Sequence, residues 1–305
     1  MTRMSSLTTF TRKQVVSPFQ AILDYEKSHG IPLGWINHAI SASAPHGSWQ
    51  KLERGEIPLD AAFFRQFHAD LINEGVWKAF HLRRAVEQEK KKKAKGRGES
   101  PEQASTSVSQ LAEEALFNAP PIPTIDAEWL FWEMMRVSRA PDPYMYPALQ
   151  RLRQLANASI KTTDKQGNQA TAPGAPFLVA ALSNTSIFPA DHEFNDHSTP
   201  AGQFTSALRA LFDLFVSSAH VGMRKPDANI YEYTITQLDA LARAKGLGGV
   251  RAADIVFLDD IGMNLRTARA VGMRTVKVTL GRADLAVREL EAIMGVSLSN
   301  LTAKL

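Results

Sequence analysis

The order of hydrophobic and polar positions divides the chain into a helical part and a part in which strands alternate with helices. From Ser17 to about residue 155, apolar residues recur at helical spacing, beginning with Phe19, Ile22 and Leu23. The second half instead carries short uninterrupted apolar runs, which are typical of strands buried in a parallel sheet. These runs are 176–182 and 255–258, and two more polar segments, 214–218 and 275–279, are also predicted to be strands.

Two domains are predicted from this pattern, a helical one at 17–155 inserted into an α/β one at 156–305. Residues 1–16 contain three basic residues and no acid, and they are interpreted as a poor strand or a disordered tail. Within the helical domain, six of the eight residues from Lys90 to Arg97 are basic. Such a run suits nuclear targeting or phosphate binding. A solvated, disordered insertion at about 89–119 is favoured, because like charges repel one another.

Composition excludes several classes of protein. The chain has 305 residues, of which 44% are hydrophobic, so it can bury a sizeable core. Its 35 basic and 31 acidic residues nearly balance, which argues against a nucleic-acid partner. There is no cysteine, hence no disulfide and no thiolate nucleophile. No apolar stretch reaches the ~18 residues that span a bilayer. A cytoplasmic protein without a membrane partner is expected.

Three polar groups follow predicted strands, where ligands bind in open α/β sheets. Asp259 and Asp260 end one run, and two adjacent carboxylates repel unless a divalent cation or a substrate cation neutralises them. Ser183 and Asn184 end another run and offer donors to an anion. Lys225 precedes Pro226 at the start of a helix, where amide groups also favour anions.

Taken together, these groups resemble motifs two, three and four of the haloacid-dehalogenase-like (HAD-like) hydrolase superfamily. The strings G-M-R-K-P-D at 222–227 and F-L-D-D-I-G-M-N at 257–264 carry the resemblance. The most similar branch contains the N-terminal phosphatase domain of soluble epoxide hydrolases. Residues 17–155, with L-E-R-G-E-I at 52–57, resemble its helical cap. The fold implied is a Rossmann-like parallel sheet with an inserted cap.

The resemblance also implies a chemistry. Ser183 and Asn184 would contact the oxygens of a transferring phosphoryl group, and Lys225 would neutralise their charge. Asp259 and Asp260 would hold Mg²⁺, directly or through water. An aspartate would attack phosphorus and form an aspartyl-phosphate that water hydrolyses. The expected substrate is a small phosphorylated metabolite.

The attacking aspartate is missing from the sequence. Ungapped alignment puts Thr9 at its position, and no Asp or Glu precedes Asp24. In the family this residue ends a central strand, between the strands that here carry Ser183 and Asp259. The first core strand is therefore expected to be degenerate or missing.

Two hypotheses remain for the function. One is a Mg²⁺-dependent phosphatase with a truncated or mis-assembled N-terminus, and by family an enzyme is favoured. The other is a catalytically inactive binding or regulatory module with the same fold. A dehalogenase needs the same missing aspartate. Epoxide hydrolysis needs a separate domain, and no G-x-S-x-G motif occurs here.

Overall fold

The computed structural model describes residues 7–10, 17–95, 119–160 and 176–298. Five strands in these residues form one parallel sheet in the order β3-β2-β1-β4-β5. The strands are β1 (Leu7–Phe10), β2 (Val179–Ser183), β3 (Leu214–Ser217), β4 (Ile255–Asp259) and β5 (Arg274–Lys277). The predicted α/β fold with a Rossmann-like sheet is therefore confirmed.

The strand order reverses at β1, because the chain adds β2 and β3 on one side and then β4 and β5 on the other. Such a reversal opens a crevice beyond the carboxyl ends of the central strands, where ligands bind in this class of sheet. The ends of β2 and β4 flank this crevice.

Residues 7–10 form the central strand, so the alternative of a gap in the sheet does not hold. Thr9 pairs with Ala180 of β2 and with Phe257 of β4. The described strand is only four residues long and contains two threonines, in agreement with a degenerate first strand. The rest of the predicted poor strand or tail, residues 1–6 and 11–16, lies outside the described residues.

Helices cover both faces of the sheet. The α-helices in the described residues are α1 (Phe19–Ser28), α2 (Trp35–Ala42), α3 (Ser48–Glu53), α4 (Ala61–Leu71), α5 (Glu74–Lys95), α6 (Ala127–Val137), α7 (Met145–Ile160), α8 (Pro200–Arg209), α9 (Ser218–Val221), α10 (Ala228–Ala244), α11 (Gly262–Ala270) and α12 (Ala283–Met294).

Alternate strand residues point to opposite faces, which creates two hydrophobic layers. On one face Val256 and Leu258 pack with side chains of α7 and α12. On the other face Ile255 and Phe257 pack with side chains of α10 and α11. All five residues of β4 are buried, as its uninterrupted apolar sequence predicts.

The chain divides into two compact units. The first comprises Met1–Pro18, Leu52–Leu59 and Met135–Leu305, and the second Phe19–Lys51 and Asp60–Met134. The second unit is helical, and its core holds fully buried aromatic side chains. These are Trp35, Phe63, Phe67 and Phe131.

The structure places two segments of the predicted cap in the first unit instead. The segment Leu52–Leu59 is one of them, and α7 is another, because Leu149 and Leu152 of that helix pack with Val179. The predicted boundary at 155 falls inside α7. The first residues of the predicted disordered insertion at about 89–119 are helical instead, because α5 continues to Lys95. Residues 96–118 lie outside the described residues.

None of the helices in the described ranges is both long enough and apolar enough to cross a membrane.

Candidate functional site

Five residues named from the sequence lie at or just beyond the carboxyl ends of β2 and β4, or in the loop that leads into α10. We call them the strand-end site. They are Ser183, Asn184, Lys225, Asp259 and Asp260.

Lys225 and Asp259 form a buried ion pair within this site. Lys225 Nζ lies 2.9 Å from Asp259 Oδ2, and the exposed fractions of the two side chains are only 5% and 2%. Lys225 Nζ also donates to the carbonyl of Leu182, the residue before Ser183, at 3.1 Å. Two of the three ammonium hydrogens thus have acceptors among the described residues, which leaves one for a ligand.

Asp259 is held by further hydrogen bonds. Its Oδ2 accepts from Asn264 Nδ2 at 3.0 Å, and its Oδ1 accepts from the backbone N–H of Ile261 at 2.8 Å. Helix α11 begins at Gly262, so Asn264 lies in its first turn and is not the N-cap. The ammonium of Lys225 neutralises Asp259, so repulsion from Asp260 does not by itself require a metal ion.

Asp260 is half-buried, and its Oδ2 accepts from the Ser17 hydroxyl at 3.2 Å. No group of three or more His, Cys, Asp or Glu side chains that could hold a metal ion occurs among the residues described. The Asp260 carboxylate, with the lone pairs of Asp259 that accept no hydrogen bond, would suit a Mg²⁺ ion that keeps several waters and also binds a phosphate. These residues do not form an all-protein metal cage.

Ser183 is the last residue of β2 and is 1% exposed. Its hydroxyl donates to the backbone carbonyl of Asn184 at 3.3 Å, a long contact for an O–H donor. Because the bond is weak, the hydroxyl can turn to an anion at little cost.

Asn184 ties the end of β2 to the loop that carries Lys225. Asn184 Oδ1 accepts from Lys225 N–H at 2.8 Å, and Asn184 Nδ2 donates to the Lys225 carbonyl at 3.0 Å. Nδ2 donates a second bond, at 3.2 Å, to Glu53 Oε2. Both amide hydrogens therefore have acceptors, and the side chain can contact a phosphoryl oxygen only by giving one up.

Arg224 and Glu53 are neighbours of the site that sequence reasoning gave no role. Arg224 Nε and Nη2 each lie 2.7 Å from Glu53 Oε2. Glu53 stands in the L-E-R-G-E-I string, which was noted only as part of the resemblance. No signal in that string indicated its contact with Arg224.

Thr9, at the predicted position of the missing aspartate, lies between the two strands that carry Ser183 and Asp259. Its partner on β4 is Phe257, two residues before Asp259. The described part of β1 therefore stops below the level of Asp259.

Tyr231 lies beneath the site on α10 and is fully buried. Its hydroxyl donates to the Asn264 carbonyl at 3.0 Å. Burial, followed by the negative charge of Asp259, raises the pKa of Tyr231 far above its ordinary value. The phenol thus stays neutral and supports the first turn of α11.

Curated proteins with sequence similarity include enzymes of known type. The pig bifunctional epoxide hydrolase 2 is 38% identical over 96 residues, which are 32% of this chain and 15% of that protein. The sesquiterpene phosphatase astK of Aspergillus oryzae is 39% identical over 69 residues, which are 23% of this chain and 30% of that protein. The chain therefore matches less than a third of either relative's length. No protein-family model matches the chain.

A solved structure of a HAD-like family hydrolase from Porphyromonas gingivalis superposes over 94% of this chain and 98% of its own. Its TM-score is 0.44 and its sequence identity is 15%. The sequence relatives and the parallel sheet confirm the resemblance of this chain to HAD-like hydrolases, and in particular to the branch that includes the bifunctional epoxide hydrolases.

Proposed function

We propose that this protein has a phosphatase-type site, in which the strand-end site holds the phosphoryl group of a small cytoplasmic phosphorylated metabolite. The observation that carries the proposal is the buried Lys225–Asp259 pair, which fixes an ammonium group at the switch point of the sheet. The similarity to a sesquiterpene phosphatase supports phosphate-ester chemistry.

Lys225 and Ser183 would bind the phosphoryl oxygens. The remaining N–H of Lys225 would donate a charge-assisted hydrogen bond to a phosphoryl oxygen, and the Ser183 hydroxyl would donate a neutral one. Asn184 would act mainly by fixing the Lys225 backbone, because its side-chain donors are already engaged.

Asp260, together with Asp259, would hold Mg²⁺ through one or two carboxylate contacts and bound waters. When bound, the ion would help neutralise the charge on the phosphoryl oxygens. Since the protein offers few ligands, Mg²⁺ should bind this site much more tightly when phosphate is present.

Turnover needs a nucleophile, and the first strand supplies none of the expected type. Leu7–Phe10 contains two threonines and no acid. A threonine hydroxyl is a weak nucleophile unless a base activates it. This observation favours a second candidate function, a module that binds a phosphorylated ligand without hydrolysing it.

Hydrolysis of an aryl phosphate with and without Mg²⁺ separates the two candidates. We expect no turnover by the natural sequence and Mg²⁺-dependent turnover once an aspartate is supplied by Thr9→Asp. Because Thr9 pairs two residues below Asp259, Thr11→Asp is tested in parallel. The matched control is Thr9→Asn, because asparagine has the shape of the introduced aspartate but not its charge.

Turnover by the natural sequence that disappears in Asp260→Asn would show that another group has replaced the aspartate. Failure of every folded variant to turn over, with phosphate still bound, would leave the binding module. Failure to bind phosphate at all would contradict both candidates.

A further inference from the structure

Glu53 lies beside the strand-end site with a nearly buried side chain, 12% exposed. One oxygen, Oε2, accepts hydrogen bonds from Arg224 Nε and Asn184 Nδ2, and Arg224 Nη2 lies 2.7 Å from the same oxygen in the ion pair. The bond from Arg224 Nε joins opposite charges at 2.7 Å, which makes it the stronger kind. A buried carboxylate needs such partners.

The contacts of Glu53 lead directly to Lys225. Arg224 is its neighbour in the chain, and Asn184 binds both the N–H and the carbonyl of Lys225. Glu53 therefore holds the two groups that fix the Lys225 backbone. The ammonium of Lys225 then reaches Leu182 and Asp259 from that fixed backbone.

Gly55 shows that this arrangement depends on a close approach of two segments. Its φ is +67°, in the left-handed region, and a Cβ built there would lie 2.2 Å from the carbonyl oxygen of Ala219. Only glycine fits both conditions. The segment Leu52–Leu59 thus packs directly on α9, which places Glu53 within reach of Arg224.

We propose that Glu53 is a positioning residue for the strand-end site. Through Arg224 and Asn184, its carboxylate holds Lys225 in the position that receives a phosphoryl group. This inference rests on the proposed function and extends it to a residue that would not touch the substrate.

Charge and position predict opposite effects for the loss of Glu53. A carboxylate near a phosphate site repels the ligand, so Glu53→Gln would tighten phosphate binding if charge alone mattered. If position matters more, the same change weakens binding, because Arg224 loses the charge of its partner and the Lys225 backbone is held less firmly. The sign of the effect therefore distinguishes the two roles.

The test is a calorimetric titration with inorganic phosphate at constant salt. We expect Glu53→Gln to weaken phosphate binding about tenfold, a change of about 1.4 kcal/mol. Glu53→Asp keeps the charge and carries little risk for folding, and we expect it to weaken binding several-fold because the shorter side chain retracts the carboxylate. Glu56→Gln is the matched control, since Glu56 pairs with Arg54 in the same segment, and binding should be no weaker than in the natural sequence.

A folded variant that combines Lys225→Met with Asp259→Asn tests the proposed function separately. Loss of phosphate binding in this variant, with unchanged or tighter binding in both Glu53 variants, would overturn the positioning role alone. Binding that persists in this variant at full affinity would overturn the proposed function itself. Weakened binding in both Glu53 variants, but not in Glu56→Gln, supports the inference.

Discussion

A buried lysine and a buried aspartate hold two loops of the strand-end site together. Removing one partner of a buried ion pair leaves the other charge without compensation, which typically costs about 3 to 5 kcal/mol. Lys225→Met should therefore lower the free energy of unfolding by about 3 kcal/mol, measured by urea denaturation. Lys78→Met, which removes an exposed lysine 3.9 Å from Glu74, should change it by no more than about 0.5 kcal/mol.

The double variant Lys225→Met with Asp259→Asn checks the reason for this loss. Because it leaves no buried charge unpaired, its destabilisation should be smaller than the sum of the two single changes. Strictly additive losses would mean that the two groups do not depend on each other.

Sequence reasoning could place Ser183, Lys225 and Asp259 at one edge of the sheet, because each stands at a strand end or a strand-to-helix junction. It could not find the bonds that fix them. The bond from Arg224 to Glu53 spans 171 positions of the chain, and no local pattern encodes so distant a contact. The tie between Asn184 and the Lys225 backbone likewise depends on side-chain geometry that becomes visible only in the fold.

Gly222 is required by its backbone conformation and not by the close approach of another segment. A Cβ at Gly222 would meet no atom within 4 Å. Its φ of +70° ends α9 in the left-handed conformation, which explains the residue.

Strand β1 is the element on which the integrity of the sheet depends, since it pairs on both sides. Proline removes the backbone N–H of a central strand and is excluded from such positions. Thr9→Pro should therefore lower the free energy of unfolding by about 1 to 3 kcal/mol, because a buried carbonyl of a neighbouring strand loses its donor. Thr9→Val keeps both the N–H and a β-branched side chain, so it should leave stability within about 1 kcal/mol.

Thermal and urea unfolding of these two variants would check the strand directly. Equal stability of Thr9→Pro and the natural sequence would contradict the pairing of β1 with β2 and β4.

Asp213 joins three elements outside the strand-end site. Its carboxylate accepts from Val179 N–H at the start of β2 (2.9 Å) and pairs with Arg153 of α7 (2.9 Å) and with Lys245 at the end of α10 (2.7 Å). Burial raises the pKa of this carboxyl, but the bonds from Lys245 and Val179 and the charge of Arg153 outweigh burial and hold the pKa below its ordinary value of 3.8.

A lowered pKa means that the charged form of Asp213 stabilises the fold above pH 3.8, and that this contribution is lost as pH falls through the folded-state value. At pH 7, Asp213→Asn should lower the free energy of unfolding by about 3 kcal/mol, because Arg153 and Lys245 lose the charge of their shared partner. The difference from the natural sequence should shrink at acid pH. The exposed Asp191→Asn is the control, and a difference independent of pH would contradict the ion-pair explanation.

In helix α6, helical periodicity does not identify the buried face. The spacing of Trp129, Trp132 and Met135 predicts that they share a buried face, but Trp129 is 50% exposed. The buried positions are Leu130, Phe131, Met134 and Met135. The helix thus turns a different stripe inward, which aromatic content alone did not indicate.

At the scale of the whole molecule, the five strands and the strand-end site belong to the first compact unit. The fold of this unit was predictable because β2 and β4 lie in uninterrupted apolar runs and polar groups follow them at the strand ends. The division of the helical residues between the two units was harder to predict. The sequences of segments 52–59 and 135–155 are as helical or as apolar as those of their neighbours in the second unit.

A bound ligand should protect the first unit locally. Ligand that binds only the folded protein adds about 2.7 kcal/mol of stability at one hundred times its Kd. Hydrogen exchange with phosphate and Mg²⁺ present should therefore slow at 183–185, 224–227 and 259–264, while α4 should show no direct protection. Protection confined to α4 would place the ligand elsewhere.

The proposed function requires that a phosphoryl group binds beside Lys225. Phosphorus NMR titration with inorganic phosphate, with and without Mg²⁺, measures this binding in the natural sequence and in the variant that combines Lys225→Met with Asp259→Asn. We predict saturable binding that Mg²⁺ strengthens in the natural sequence, and its loss in the folded variant. Equal affinity in both proteins would contradict the proposed function.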